Sequence, residues 1–300
     1  MSHAVPFIPS SNDDRHADIV ANLLLWAERT ENIRAVIQTG SASRASGAVD
    51  RFSDRDIELI CRDPTPLLED DSWIHAIAPV WVVLYLENDP GNFEQRLVFF
   101  VGGRKVDFTV ADQTRLDAMR ENGHLDSLYE RGYRVLLDKD GLAAGLPVST
   151  GRSPSRPLPT EAEFTATVAE FWFEAAHMPT YLTREDLWVV KLRDGAMKEM
   201  LLRLLEWHTL YTQGPDTDVW HIGTKMKRWV DPGIWIELQD VFGHFDTTDS
   251  VRALTATMRL FKRLTHDVAV YAGFTVPEAE RHIEAYVLGL TDAVCVADCT

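Results

Sequence analysis

The sequence predicts an α+β protein of two domains: a mixed β-sheet flanked by helices over residues 1–150, then an all-helical bundle over residues 151–300. Three observations carry this reading. The first half holds six short apolar runs of strand length, each bounded by turn residues. Residues 142–159, LAAGLPVSTGRSPSRPLP, have the Gly/Ser/Pro content of a linker. Beyond them, almost every apolar residue recurs three or four positions on.

The elements follow in order. Ile19, Val20, Leu23, Leu24 and Ala27 share one face of a helix opened by polar residues. IRAVIQT is a buried strand stopped by Gly40, and DIELIC is a second, stopped by Asp63 and Pro64. WVVLYL and QRLVFF are two more. Gly102 and Gly103 give a hairpin turn, so QRLVFF and KVDFTV pair antiparallel. RVLLD is a last strand or extended segment. In the second half the helical stretches are 161–177, 184–212, 234–245, 250–273 and 277–290.

Composition excludes several classes. With 45% hydrophobic and 25% charged residues, the chain is neither disordered nor fibrous. No apolar run reaches the roughly 20 residues of a membrane span, and the N-terminus lacks the pattern of a secretion signal, so a cytoplasmic protein is expected. A net charge of −16 argues against nucleic acid and favours a cationic small molecule. Cys61, Cys295 and Cys299 have no zinc-site spacing and read as ordinary thiols of a reducing compartment. No heptad or exposed apolar helix calls for a partner, which points to a monomer.

Chemistry concentrates in three places in the first half: Gly40-Ser41 after a strand, Asp54-Arg55-Asp56 opening the next, and Asp107 in the hairpin strand. Side chains alternate along a strand, so Asp54 and Asp56 point the same way, and Asp107 from a neighbouring strand completes a cluster. Three crowded carboxylates repel one another unless a cation sits among them. Hard oxygen ligands with room for phosphate oxygens suit Mg²⁺. Two such ions would hold a triphosphate for in-line displacement at the α-phosphorus, with Asp107 placed to accept the hydroxyl proton. Gly40 lets the backbone approach a phosphate, and Ser41, Ser43 or Arg44 can donate to its oxygens. Glu58 lies on the same face; a salt-bridged or solvated side chain is favoured over a fourth metal ligand.

This order of strand, Gly-Ser, polar loop, D-x-D strand and later aspartate resembles the DNA polymerase beta-like nucleotidyltransferase superfamily. More narrowly, IRAVIQTGSASR, FSDRDIELI, GGRKVDFTV and the helical EFWFEAAHMPTYLTREDLWVVKLRDGAMKEMLLRLLEWHTL resemble the aminoglycoside 6-adenylyltransferases, which adenylylate streptomycin. The likeness runs from about Ile33 to Trp229. Two departures stand out. Ala42 occupies the place of an arginine, with Arg44 two positions on, and in HIGTKMKRW Gly223 is followed by Thr224 where the family has Gly-Lys and a further lysine, with Lys225 and Lys227 nearby.

The resemblance implies AMP transfer from ATP to an aminoglycoside hydroxyl. It implies a lysine (Lys225 or Lys227) on the triphosphate, and an acceptor held between the domains by carboxylates and an aromatic face. Glu170 and Trp172 match the Glu-Phe-Trp motif, and Glu174 lies one turn beyond Glu170. Glu87 and Glu94 are further acidic neighbours. A different acceptor on the same fold, or a non-catalytic module, are the alternatives; the intact aspartates disfavour the second.

Overall fold

The computed structural model describes residues 15–43, 52–86, 93–152, 156–219 and 221–297. The chain divides into two compact units, Met1–Pro154 and Ser155–Thr300.

The first unit is built on a six-stranded mixed sheet in the order β3-β4-β5-β2-β1-β6. Its strands are β1 (Ile33–Thr39), β2 (Arg55–Cys61), β3 (Val80–Leu86), β4 (Gln95–Phe100), β5 (Arg104–Asp112) and β6 (Arg134–Asp138). All six expected strands form, and β4 and β5 join as the expected antiparallel hairpin, with Gly102 and Gly103 both at positive φ. Only β2 and β5 run parallel.

Alternation divides the sheet into two apolar layers. Ile57, Leu59, Val98, Phe108 and Val110 face helix α1 (Ala17–Arg29) and the short helices α2 (Thr65–Glu69) and α3 (Ser72–Ile77). Ala35, Ile37, Ile60 and Ala111 face Leu116 and Met119 of α4 (Thr114–Asn122) and Tyr129 of α5 (Ser127–Glu130). Helices α2, α3 and α5 span six residues or fewer, too short to show a 3.6-residue period in the sequence. Cys61 is buried against the first layer, and burial pushes its thiol up to about 12, which makes it inert.

The second unit is helical: α6 (Glu161–Thr183), α7 (Leu187–Gln213), the short α8 (Met226–Trp229) and α9 (Pro232–Glu237), then α10 (Thr247–Ala272) and α11 (Ala279–Ala297). Thr160 and Glu163 close a reciprocal capping box at the start of α6. The core lies where α6, α7, α10 and α11 meet, around Phe164, Phe171, Leu204, Phe261 and Leu264. The stretch 234–245, expected as one helix, stops at Glu237. Beyond it, Arg252 donates to the carbonyls of Asp240 and Phe242, and Lys191 to that of Gly243, so side chains satisfy the acceptors that a further helical turn would use. No helix among the described residues is long and apolar enough to cross a membrane.

Candidate active site

The parallel register of β2 and β5 sets Asp56 directly beside Asp107, on the face that carries Ile60 and Ala111. Asp54 immediately precedes β2. Each of the three aspartates offers an oxygen within 4.8 Å of those of the other two, and all three are half-buried. Among the described residues no other trio of metal-ligating side chains comes together in this way.

On the far side of β2, Thr39 pairs with Asp56, and β1 then ends in Gly40 at φ +67°. The Gly40 backbone lies against the Asp56 carboxylate so closely that an added Cβ would fall 1.8 Å from Oδ2. Ser41 opens a single 3-10 turn, Ser41–Ser43. The Ser43 hydroxyl donates to the carbonyls of Gln38 (2.8 Å) and Thr39 (3.1 Å), so it closes the end of the strand rather than offering a donor to a ligand. Arg44 and Glu87 lie outside the described residues. Glu94 pairs with Arg96 at 3.5 Å.

One member of the cluster escaped the sequence reading. Lys105, two residues before Asp107, places its ammonium 2.6 Å from Asp107 Oδ2 and 3.0 Å from Asp54 Oδ2. Burial would lower the Lys105 pKa, but its bonds to Asp107 and Asp54 hold it above the ordinary value. Asp107 moves up. Burial raises it most and the charge of Asp54 adds to this, while Lys105 offsets only part. The other oxygen of Asp107, Oδ1, is buried and makes no hydrogen bond. A cation held between two carboxylates, beside an unmatched carboxylate oxygen, is the environment a divalent metal needs, so these residues fit magnesium.

Glu58 is not part of this cluster. It is buried, accepts from Arg115 at 3.1 Å and from the hydroxyl of Tyr129, and burial raises its pKa. Arg115 in turn pairs with Asp126.

In the second unit, Glu170 is exposed on α6, and Glu174 is held by Arg193 at 2.7 Å. Trp172 offers no face to a ligand. It is 0% exposed and packs edge-on against Phe171 and Phe261 in the core. The reason is helical geometry: two residues apart on a helix is about 200°, so Trp172 points away from Glu170 and Glu174. Phe173, 61% exposed, is the aromatic ring on their face, with its edge against His177. Lys225 and Lys227 are both exposed, Lys225 in the left-handed conformation ahead of α8 and Lys227 over the ring of Trp235.

Known proteins resemble this chain along nearly its whole length. The family profile for streptomycin adenylyltransferase matches residues 15–290. An aminoglycoside 6-adenylyltransferase of Bacillus subtilis is 24% identical over 272 residues, 88% of this chain and 94% of that protein. Those of Campylobacter jejuni and Staphylococcus aureus are 23% and 20% identical, covering 90% and 87% of this chain and 93% of each relative. A crystal structure of an aminoglycoside 6-adenyltransferase from Bacillus subtilis aligns over 90% of this chain and 97% of its own, with 21% identity and a TM-score of 0.45. With the match spanning both the aspartate-bearing sheet and the helical unit, the chain belongs to the streptomycin adenylyltransferase family of nucleotidyl-transferring enzymes.

Proposed function

We propose that the protein transfers AMP from ATP to the 6-hydroxyl of an aminoglycoside such as streptomycin and releases pyrophosphate. The observation that carries this reading is the meeting of Asp54, Asp56 and Asp107 beside Gly40 in a chain of that family.

Each residue has a task in this reading. The bare backbone at Gly40, and the amide of Ser41 after it, receive the phosphates that leave. Asp54, Asp56 and Asp107 are the residues that would hold magnesium, which when bound supplies positive charge against the triphosphate. The acceptor oxygen attacks the α-phosphorus as its proton passes to Asp107, whose Oδ1 has no competing partner. The bond from the α-phosphorus to the bridging oxygen breaks, and its electron pair leaves with pyrophosphate.

A cationic acceptor calls for carboxylates and an aromatic face, which Glu170 and the exposed Phe173 offer on one side of α6, with Glu174 beside them in its ion pair with Arg193. Lys225 or Lys227 is the proposed lysine for the triphosphate. ATP as co-substrate and the acidic charge balance support a cytoplasmic enzyme acting on small molecules.

The test is pyrophosphate release from ATP with Mg²⁺ and streptomycin. Release that depends on all three supports the reading, and a folded, ATP-binding protein that releases none overturns the acceptor. Asp107→Asn should lower turnover by about 10²–10⁴-fold, the range for a general base. Asp54→Asn should abolish it without unfolding the chain.

A further inference from the structure

The strand registers place five side chains in one row across the sheet: Leu84 of β3, Leu97 of β4, Asp107 of β5, Asp56 of β2 and Thr39 of β1. Directly paired residues project from the same face, so this row is a line on the surface that carries the aspartates. One end of it runs into Gly40. The other end is apolar. Val82 pairs with Phe99, and Phe99 with Lys105, which adds a second row beside the first.

Val82, Leu84 and Phe99 are 54%, 57% and 40% exposed, although their neighbours at the middle of the sheet are covered by α4 and α5. None of these side chains, nor that of Leu97, carries a charge or a hydrogen-bonding group. An apolar shelf thus begins at the half-buried Leu97, one strand or about 4.8 Å from Asp107, and opens at Phe99 and, on the next strand, at Leu84 and Val82. Apolar side chains left open on a sheet face, next to a set of reactive groups, mark a surface that something covers.

We infer that the acceptor lies on this shelf, a specificity surface formed by Val82, Leu84, Leu97 and Phe99. The inference rests on the AMP-transfer reading above. In-line displacement puts the entering and leaving oxygens on opposite sides of the α-phosphorus. The leaving pyrophosphate points to Gly40, so the entering hydroxyl comes from the opposite end of the row, over Asp107 from the direction of Leu97 and Leu84.

The shelf also states what the acceptor presents there. A saccharide ring shows C–H groups on one face and hydroxyls at its rim, so its C–H face rests on the leucines while a rim hydroxyl reaches Asp107. A ligand that met this surface with charged groups would lose their hydration without compensation. The ammonium groups of an aminoglycoside therefore point away from the shelf, toward carboxylates elsewhere.

The test is steady-state kinetics of the full-length protein with ATP, Mg²⁺ and streptomycin, backed by a panel of other aminoglycosides. Leu84 is more than half exposed, so Leu84→Asn leaves the fold intact. It should raise the acceptor KM about tenfold, the ratio equivalent to about 1.4 kcal/mol, with the KM for ATP and kcat within about twofold. Leu84→Ile should restore the acceptor KM. An unchanged acceptor KM overturns the shelf, and so does a rise in the KM for ATP, which would put the nucleoside there. A wild-type dimer that Leu84→Asn converts to monomer, seen by light scattering, also overturns it, because the face would then belong to a second copy. Wild-type protein that turns over none of the aminoglycosides overturns the AMP-transfer reading, and the shelf with it.

Discussion

Gly40 and Asp56 are in such close contact that the missing side chain of the one makes room for the carboxylate of the other. The 1.8 Å separation between a Cβ built at position 40 and Asp56 Oδ2 is far inside any real contact. The φ of +67° adds a second constraint, because a side chain there costs roughly 1–2 kcal/mol. Gly40→Ala should therefore displace Asp56 from its place beside Asp107. A misplacement of about 1 Å near the chemistry costs on the order of 10²-fold, so kcat/KM should fall at least that far while the circular dichroism spectrum stays native. Activity within a few-fold of the parent would show that Asp56 does not act from this position.

Lys105 joins Asp54 and Asp107, and its removal should expose their repulsion. In Lys105→Ala the two carboxylates lose the ammonium that neutralises them, so the metal-free protein should melt at a lower temperature. Mg²⁺ should then raise Tm by more than it does in the parent, because the ion relieves a larger strain of charge. Melting curves with EDTA and with millimolar Mg²⁺ measure both increments. Equal increments in the two proteins would mean that the ion binds away from this cluster.

The sheet was legible in the sequence because each strand is a short apolar run closed by a turn. QRLVFF, Gly102-Gly103 and KVDFTV together spell a hairpin. The aspartates were legible for a related reason: alternation fixes the faces of Asp54 and Asp56 without knowledge of any partner strand. Lys105 was not. Its bond to Asp54 joins residues 51 positions apart and exists only in the parallel register of β2 and β5, which no local pattern encodes. The short helices were hidden by their length, and the early end of α9 by donors from α7 and α10. Trp172 is not on the surface that the Glu-Phe-Trp triplet suggests, because helical geometry sets its first and third residues, Glu170 and Trp172, about 200° apart.

Glu58 supplies a pH dependence whose sign is fixed by burial. Its carboxyl is raised because burial disfavours the charge by more than Arg115 and the Tyr129 hydroxyl favour it. The folded chain therefore holds this proton to higher pH than the unfolded chain, whose glutamates titrate near about 4.3. The stabilisation from Glu58 is complete below that value and is lost as pH rises through the folded pKa. In thermal melts between pH 4 and pH 8, the parent should lose stability relative to Glu58→Gln as pH increases. A difference that grows in the parent's favour over that range would mean that Arg115 holds Glu58 as a stabilised anion.

Trp172 separates a packing role from a binding role. Its side chain is fully buried between Phe171 and Phe261, and the indole Nε1 makes no hydrogen bond. Truncation to alanine leaves a cavity in the helical core, which costs roughly 3–5 kcal/mol for a residue of this size. Trp172→Phe keeps most of the ring and removes a polar group that has no partner, so it should cost much less than alanine does. Urea denaturation of the two variants measures this ordering. The acceptor KM of Trp172→Phe should match the parent, whereas Phe173→Ala, which removes the exposed ring between Glu170 and Glu174, should raise it with little change in stability. A raised acceptor KM in Trp172→Phe with the parent value in Phe173→Ala would return the aromatic contact to Trp172 and require α6 to turn in the substrate complex.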